Sequence, residues 1–355
     1  MPKHDIVLIG ASAGGVEAIS RVVTDLPRDL RASVFVVLHI SRGRSMLPEI
    51  LTRAGRMPAA HPTDGEAIQY GRIYIAPPDN HMLVDGNRVR VVRTASENGL
   101  RPALDPLFRS AARSFGTRVI AVVLTGSLDD GTAGAAAVKL GGGVTIAQDP
   151  NDAFAPGMPT SAINAGFIDH VLPLREIPIL VSALVDEEAV GTADPDAPVL
   201  HAKEPDLETP PNPVHPGDRP GRPSVFSCPS CHGTLWEANE NGLVRFRCRV
   251  GHVFSPESML SAQTDEVDRA LWIALRTLEE RAALSHRLAE RGRERGQAWV
   301  DAAFTMRAHE SEREAALLRE LLHARNVPGQ TTVPDDLPAD GPTLGADRQK
   351  QGEPR

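Results

Sequence analysis

Cysteine is scarce in this 355-residue chain: there are three, all between positions 228 and 248. An odd number so closely spaced excludes a disulfide framework and points to metal ligation. Positive charge is also in deficit. The formal net charge is -8 at pH 7, so the basic footprint of a nucleic-acid-binding protein is missing. No apolar run is long enough to span a bilayer, and the N-terminus reads as a strand rather than a signal peptide. The expectation is a cytoplasmic protein whose partners include neither nucleic acid nor a membrane into which it inserts.

The stretch Ile6-Val7-Leu8-Ile9-Gly10-Ala11-Ser12-Ala13-Gly14-Gly15 reads as a strand buried on both faces, then a tight turn presenting one serine, then a helix from Val16. Three readings of Ser12 compete. It could cap the helix, belong to a degraded nucleotide loop, or be a nucleophile. The nucleotide reading is weakened because Ser12 stands where the middle glycine of G-x-G-x-x-G lets the backbone approach a pyrophosphate.

A second buried strand, Ser33–Leu38, ends at His39. After the strand Arg72–Ala76, Asp85-Gly86-Asn87 between alternating residues predicts a β-hairpin, with His81 as a rim residue or substrate contact. Asp105 and Pro106 read as N-cap and first residue of a helix reaching Phe115. The most hydrophobic strand, Thr117–Leu124, runs into Thr125-Gly126-Ser127-Leu128-Asp129-Asp130-Gly131 and a helix from Ala133 to Leu140. Further strands at Gly143–Ala147 and Asp169–Leu172, a short helix Met158–Asn164 and a helix from Leu174 to about Glu187 complete the pattern. Alternating β and α elements with an inserted hairpin predict an α/β fold, a doubly wound and mostly parallel sheet. Ser12, His39 and Asp130 then fall at strand C-termini, where ligands gather in such sheets. A nucleophile, a base and an acid at one sheet edge favour a hydrolase.

Residues 188–224 are proline-rich and acidic, and read as a linker. Beyond them, Cys228-x2-Cys231 and Cys248-x3-His252 offer four tetrahedral ligands for a structural Zn2+ in a small zinc-ribbon-like module, 225–255. Such a module is expected to fold only on metal binding, with hydrolysis by residues 1–187 surviving its loss. Ser255 and Pro256 open a helical region, 256–325, in which Val267, Leu271, Leu275, Leu278 and Ala282 form an apolar stripe. Gly292 and Gly296 interrupt it, predicting an antiparallel hairpin or a coiled coil with Trp272 and Trp299 in the core. The tail, 326–355, reads as disordered.

Residues 1–187 resemble the catalytic domain of the CheB chemotaxis protein-glutamate methylesterase family. The resemblance is carried by Gly10–Gly15, Leu38-His39, Arg101–Phe108, Leu124-Thr125-Gly126 with Asp130-Gly131, and Thr145–Gln148 with Gly157-Met158-Pro159. It implies Ser12 as nucleophile, His39 as general base and acid, Asp130 orienting the imidazole, and the backbone N–H groups of Ala13 and Ser127 as oxyanion donors. The implied substrate is a methylated chemoreceptor or chemoreceptor-like protein, with glutamine deamidation as a second activity. A methyltransferase or a second copy would dock through the C-terminal helices. The family's methionine after Thr-Gly is Ser127 here and its threonine after the nucleophile is Ala13, which bears on substrate preference. No N-terminal receiver domain is expected, since the first catalytic strand starts at about Asp5. The alternatives are a catalytically silent scaffold of a chemosensory complex and a general small-molecule esterase.

Overall fold

A computed structural model describes residues 3–40, 43–189 and 221–325. The core of the expected linker and the whole of the expected tail lie outside the described residues. The chain forms two compact units, Met1–Asp265 and Glu266–Arg355.

The first unit is built on β1 (Ile6–Ala11), β2 (Ser33–Leu38), β3 (Ala59–Ala60) and β4 (Ile73–Ile75), followed by the hairpin β5 (His81–Asp85) and β6 (Arg88–Val92), then β7 (Val119–Val123), β8 (Val144–Gln148) and β9 (His170–Leu172). Seven of these pair in parallel, in the order β3-β4-β2-β1-β7-β8-β9. Their apolar runs are buried on both faces because helices cover both. Val7 and Ile9 of β1 enter one core with α1 (Gly15–Asp25), α2 (Leu47–Ala54) and α6 (Ile177–Asp186). Ile6 and Leu8 enter the other, with the hairpin, α3 (Leu104–Phe115), α4 (Thr132–Leu140) and α5 (Gly157–Asn164). Each fully buried aliphatic side chain of this kind contributes roughly 1.5–3 kcal/mol, so the central strands are fixed firmly and their ends are rigid mounts.

Asp105 is not the N-cap of its helix. α3 starts at Leu104, and Asp105 is buried inside its first turn, where its carboxylate accepts the N–H groups of Gly131 (3.0 Å) and Gly134 (2.7 Å) at the start of α4. The segment around α2 carried no assignment from sequence; its eight residues bury only Leu47 and Leu51.

Within the same unit, β10 (Arg222–Ser227), β11 (Thr234–Glu240), β12 (Leu243–Cys248) and β13 (Val253–Phe254) form an antiparallel sheet. Its small core is Cys228, Leu235, Phe246, Cys248, Phe254 and Met259. The module is not a body held only by its linker. The Asn98 N–H donates to Val253 O at 2.7 Å, and Arg245 of β12 is buried in ion pairs with Glu97 and Asp105. A buried guanidinium needs carboxylates to offset its desolvation, and here they come from the α/β part.

α7 (Pro256–Glu294) begins in this unit, its first turn capped by the Ser255 hydroxyl, which accepts the Ser258 N–H at 3.0 Å. In the second unit, α7 lies antiparallel to α8 (Ala298–Arg325), with Leu275, Ala315 and Leu322 buried between them. Ion pairs of Arg325 with Asp268 and Arg293 with Asp301 close the two ends of this helical hairpin. Two expectations are corrected. Gly292 continues α7, and a Cβ there would come 2.9 Å from Val300 Cγ1, so the glycine permits close helix approach; Gly296, at φ 70°, makes the turn. Trp272 and Trp299 are 52% and 77% exposed, Trp272 because it stands one residue, hence about 100°, off the Leu271–Leu275 stripe.

Candidate active site

Ser12 and His39 leave neighbouring strands at the same level. Ala11 pairs with Leu38 across β1 and β2, and the His39 N–H donates to Ala11 O at 3.1 Å. β7 flanks β1 on its other side, and the Ser12 N–H donates to Thr125 O at 2.9 Å in the turn that follows β7. That turn delivers Asp130. His39 Nε2 and Asp130 Oδ2 are 2.7 Å apart, with both side chains buried. The helix-cap reading of Ser12 falls, since Gly14, at φ 74°, is the N-cap of α1 and no side chain caps that helix. Gly10 also needs no phosphate to explain it, because a Cβ there would lie 1.7 Å from Leu104 Cδ2.

Asp130 is fully engaged. Its Oδ2 accepts the Leu104 N–H at 2.7 Å as well as facing His39, and its Oδ1 takes the Asn98 carboxamide at 3.3 Å and the Asp105 N–H at 3.4 Å. Burial works to raise its pKa, but the His39 imidazole and the Leu104 N–H outweigh it and hold the carboxyl below its ordinary range. The start of α3, with its free N–H groups and positive dipole end, thus points at Asp130. The capping is reciprocal: Asp130, before α4, caps α3, while Asp105, in α3, caps α4.

Three more acids surround this pair. Burial pushes Asp105 up to about 7, against the pull of Arg245 and with Asp130 and Glu97 adding to the rise. Glu97, equally buried, is nonetheless held far below the usual carboxylate range by Arg109, which forks onto it at 2.7 and 2.8 Å, and by Arg245. Asp129 is raised to about 6 by burial, opposed by the Ser255 hydroxyl that donates to it at 2.8 Å. Asp129 is therefore a buried anchor for the start of α7 rather than a loop charge. His81 is corrected as well. It is buried, with Nε2 at 3.1 Å from Ala95 O and Nδ1 accepting the Ala103 N–H at 3.3 Å, so both nitrogens are occupied by backbone and it is not a rim residue.

Ala13 and Ser127 lie on the two turns that meet at Ser12. The Thr125 hydroxyl ties these turns together by donating to Ala13 O at 2.8 Å and accepting the Ala155 N–H at 2.8 Å. Gly126 lies between them, and a Cβ at this position would come 2.0 Å from Met158 Sδ and 2.9 Å from Ser12 Cβ. Gly126→Ala should therefore displace Ser12 and lower kcat on the order of 100-fold. Circular dichroism should remain native, and a variant within twofold of wild type in kcat would show the turn yielding without moving the serine.

At the far end of β12, the ligand atoms of Cys228, Cys231, Cys248 and His252 all lie within 4.8 Å of one another. Cys231 Sγ and Cys248 Sγ are 3.6 Å apart, and His252 Nδ1 is 3.5 Å from Cys248 Sγ and 3.7 Å from Cys228 Sγ. Zinc–ligand bonds of about 2.0–2.3 Å in a tetrahedron require edges of roughly 3.5–3.8 Å, and these three separations lie in that range, so the cluster could hold a metal ion.

A doubly wound parallel sheet whose edge carries a serine and a histidine just past two neighbouring strands, and an aspartate in the loop after a third, defines the class as an α/β protein. Comparison with known proteins gives the particular family: residues 7–181 match the CheB methylesterase family, and the chain belongs to it. A protein-glutamate methylesterase/protein-glutamine glutaminase of Pyrococcus horikoshii is 35% identical over 192 residues, covering 52% of this chain and 52% of that protein. One from Paramagnetospirillum magneticum is 40% identical over 179 residues, covering 49% and 47%. The crystal structure of the Thermotoga maritima CheB methylesterase catalytic domain is 35% identical, is covered in full by 52% of this chain, and superposes with a TM-score of 0.49. The chain spans about half the length of the curated relatives it matches. No described helix is long and apolar enough to cross a membrane.

Proposed function

We propose that the chain is a cytoplasmic serine esterase that hydrolyses glutamate γ-methyl esters on methylated chemoreceptors and deamidates glutamines by the same route. The observation that carries this reading is the buried His39–Asp130 pair one residue beyond the strand register that aligns His39 with Ser12. The names of the relatives supply the substrate class.

With His39 Nε2–H donating to the Asp130 carboxylate, Nδ1 is the nitrogen left to accept the Ser12 proton. Ser12 Oγ attacks the ester carbonyl as Nδ1 takes its proton. The oxyanion is received by the N–H groups of Ala13 and Ser127. The proton passes to the departing methoxide, methanol leaves, and an ester joins Ser12 Oγ to the glutamyl carbonyl. Water, deprotonated by the same nitrogen, then releases the carboxylate and restores Ser12. Asp130, held ionised, stabilises the imidazolium in both steps.

Cys228, Cys231, Cys248 and His252 would hold a structural Zn2+, since four protein ligands leave no open position for chemistry. The exposed Trp272 and Trp299 of the helical hairpin suit contact with a methyltransferase or a second copy. The purified full chain should release methanol from membranes bearing methylated receptors and contain about one equivalent of zinc by elemental analysis. Methanol release indistinguishable from a protein-free control would refute the esterase reading, and metal content near zero in freshly purified protein would refute the zinc site.

A further inference from the structure

The Cys3His module reaches the candidate triad through a single residue that no motif marks. Asn98 is buried and left-handed, at φ 54°. Its backbone N–H binds Val253, the residue next to the ligand His252, at 2.7 Å. Its carboxamide faces two ways. The oxygen accepts the Ser255 N–H at 3.1 Å and the Ser258 hydroxyl at 3.0 Å, both from the segment that leaves the module. The nitrogen donates to Asp105 Oδ2 and Asp130 Oδ1, each at 3.3 Å. On one side of this residue, Ser255 holds Asp129, the neighbour of Asp130. On the other, Arg245 supplies cationic charge to Asp105, the acid that caps the helix following Asp130.

We infer that the Cys3His module is a positioning element of the hydrolytic site, acting through Asn98 on Asp130 and supported by Arg245 and Ser255. The inference rests on the serine-esterase reading. A docking surface needs only shape and burial to hold a module in place. This one instead spends its buried polar groups on the acid that orients His39 and on the two acids beside it. A carboxamide is suited to that task because it donates to carboxylates with one end and accepts from hydroxyl and N–H groups with the other. An acid at this position could not replace it, since it would add a carboxylate to a pocket that already holds Glu97, Asp105, Asp129 and Asp130. It follows that metal removal, which loosens the Val253–Ser258 segment, should slow the nucleophile. This reverses the expectation from sequence that hydrolysis is indifferent to the module.

The test uses Asn98→Gly in the full chain. Glycine adopts φ near 54° without strain and keeps the N–H bond to Val253, so only the carboxamide is lost. Two rates are measured: methanol release from methylated receptor, and covalent labelling of Ser12 by a fluorophosphonate, which needs no knowledge of the substrate. Asn98→Gly should lower kcat and the labelling rate together by on the order of 10- to 100-fold, leaving KM within about twofold and hydrogen exchange of residues 222–254 near wild type. Asn98→Asp, which turns an oxygen toward Asp105 and Asp130, should be slower still. Chelation of wild type should slow labelling by a comparable factor, and added Zn2+ should restore it. A merely structural Asn98 would accelerate exchange in the module while leaving labelling of the folded fraction unchanged, and that result would overturn the inference. Wild type that labels at Ser12 yet releases no methanol would remove the proposed substrate alone, whereas absence of labelling in wild type would remove both.

Discussion

Ser12→Ala is expected to lower kcat for ester hydrolysis by about 10^4-fold or more while leaving KM within a few-fold of wild type. Deleting the hydroxyl removes the group proposed to bond the acyl carbon. The turn around the serine is closely packed, since a Cβ added at Gly126 would come 2.9 Å from Ser12 Cβ. Stability should change little, because the Ser12 backbone bonds to Thr125 and Gly15 do not involve the side chain. Methanol release under substrate saturation measures the effect, with circular dichroism as the control. A variant retaining a tenth of wild-type kcat would mean that hydrolysis proceeds without a serine intermediate.

Arg245→Met should have the largest effect on stability, a loss of about 3 kcal/mol of local protection. Methionine matches the aliphatic stem but leaves the buried Asp105 without its cation, while Glu97 keeps Arg109. Hydrogen exchange resolves the consequence by segment: amides of β12 and of residues 94–100 should exchange about 100-fold faster, and α7–α8 should be unaffected. Adding Asp105→Asn to Arg245→Met should recover part of the loss by removing an acid that burial forces to stay protonated in the folded state. Equal destabilisation of single and double variants would show that Arg245 acts through packing alone.

Much of the site was legible in the sequence because strands buried on both faces are written as uninterrupted apolar runs, and their ends are easily located. Ser12 and His39 stand where two such runs stop, and Asp130 lies in the loop that follows a third. The acids and cations behind them were not legible, for three different reasons. Asp105 before Pro106 reads as a local cap, and only the tertiary fold reveals that it and Asp130 exchange helices. Asn98 lies in a loop without periodicity. Arg245 sits in a strand whose alternation gives no hint that one face meets another part of the chain. His81 was misplaced because a strand-end histidine looks available until its two backbone partners are seen. The exposed tryptophans erred in the opposite sense, since size and apolarity suggested burial where helical phase forbids it.

The exchanged caps of α3 and α4 also bear on how the chain would change if selection for the proposed hydrolysis were relaxed. Ser12 can be lost with little damage to the fold, whereas loss of Asp130 strips the start of α3 of its acceptor, leaves His39 without its partner and takes one of two acceptors from Asn98. Among descendants that have abandoned catalysis, the serine should vary first and the aspartate last. An intact Asp130 in such a chain would therefore record architecture rather than activity.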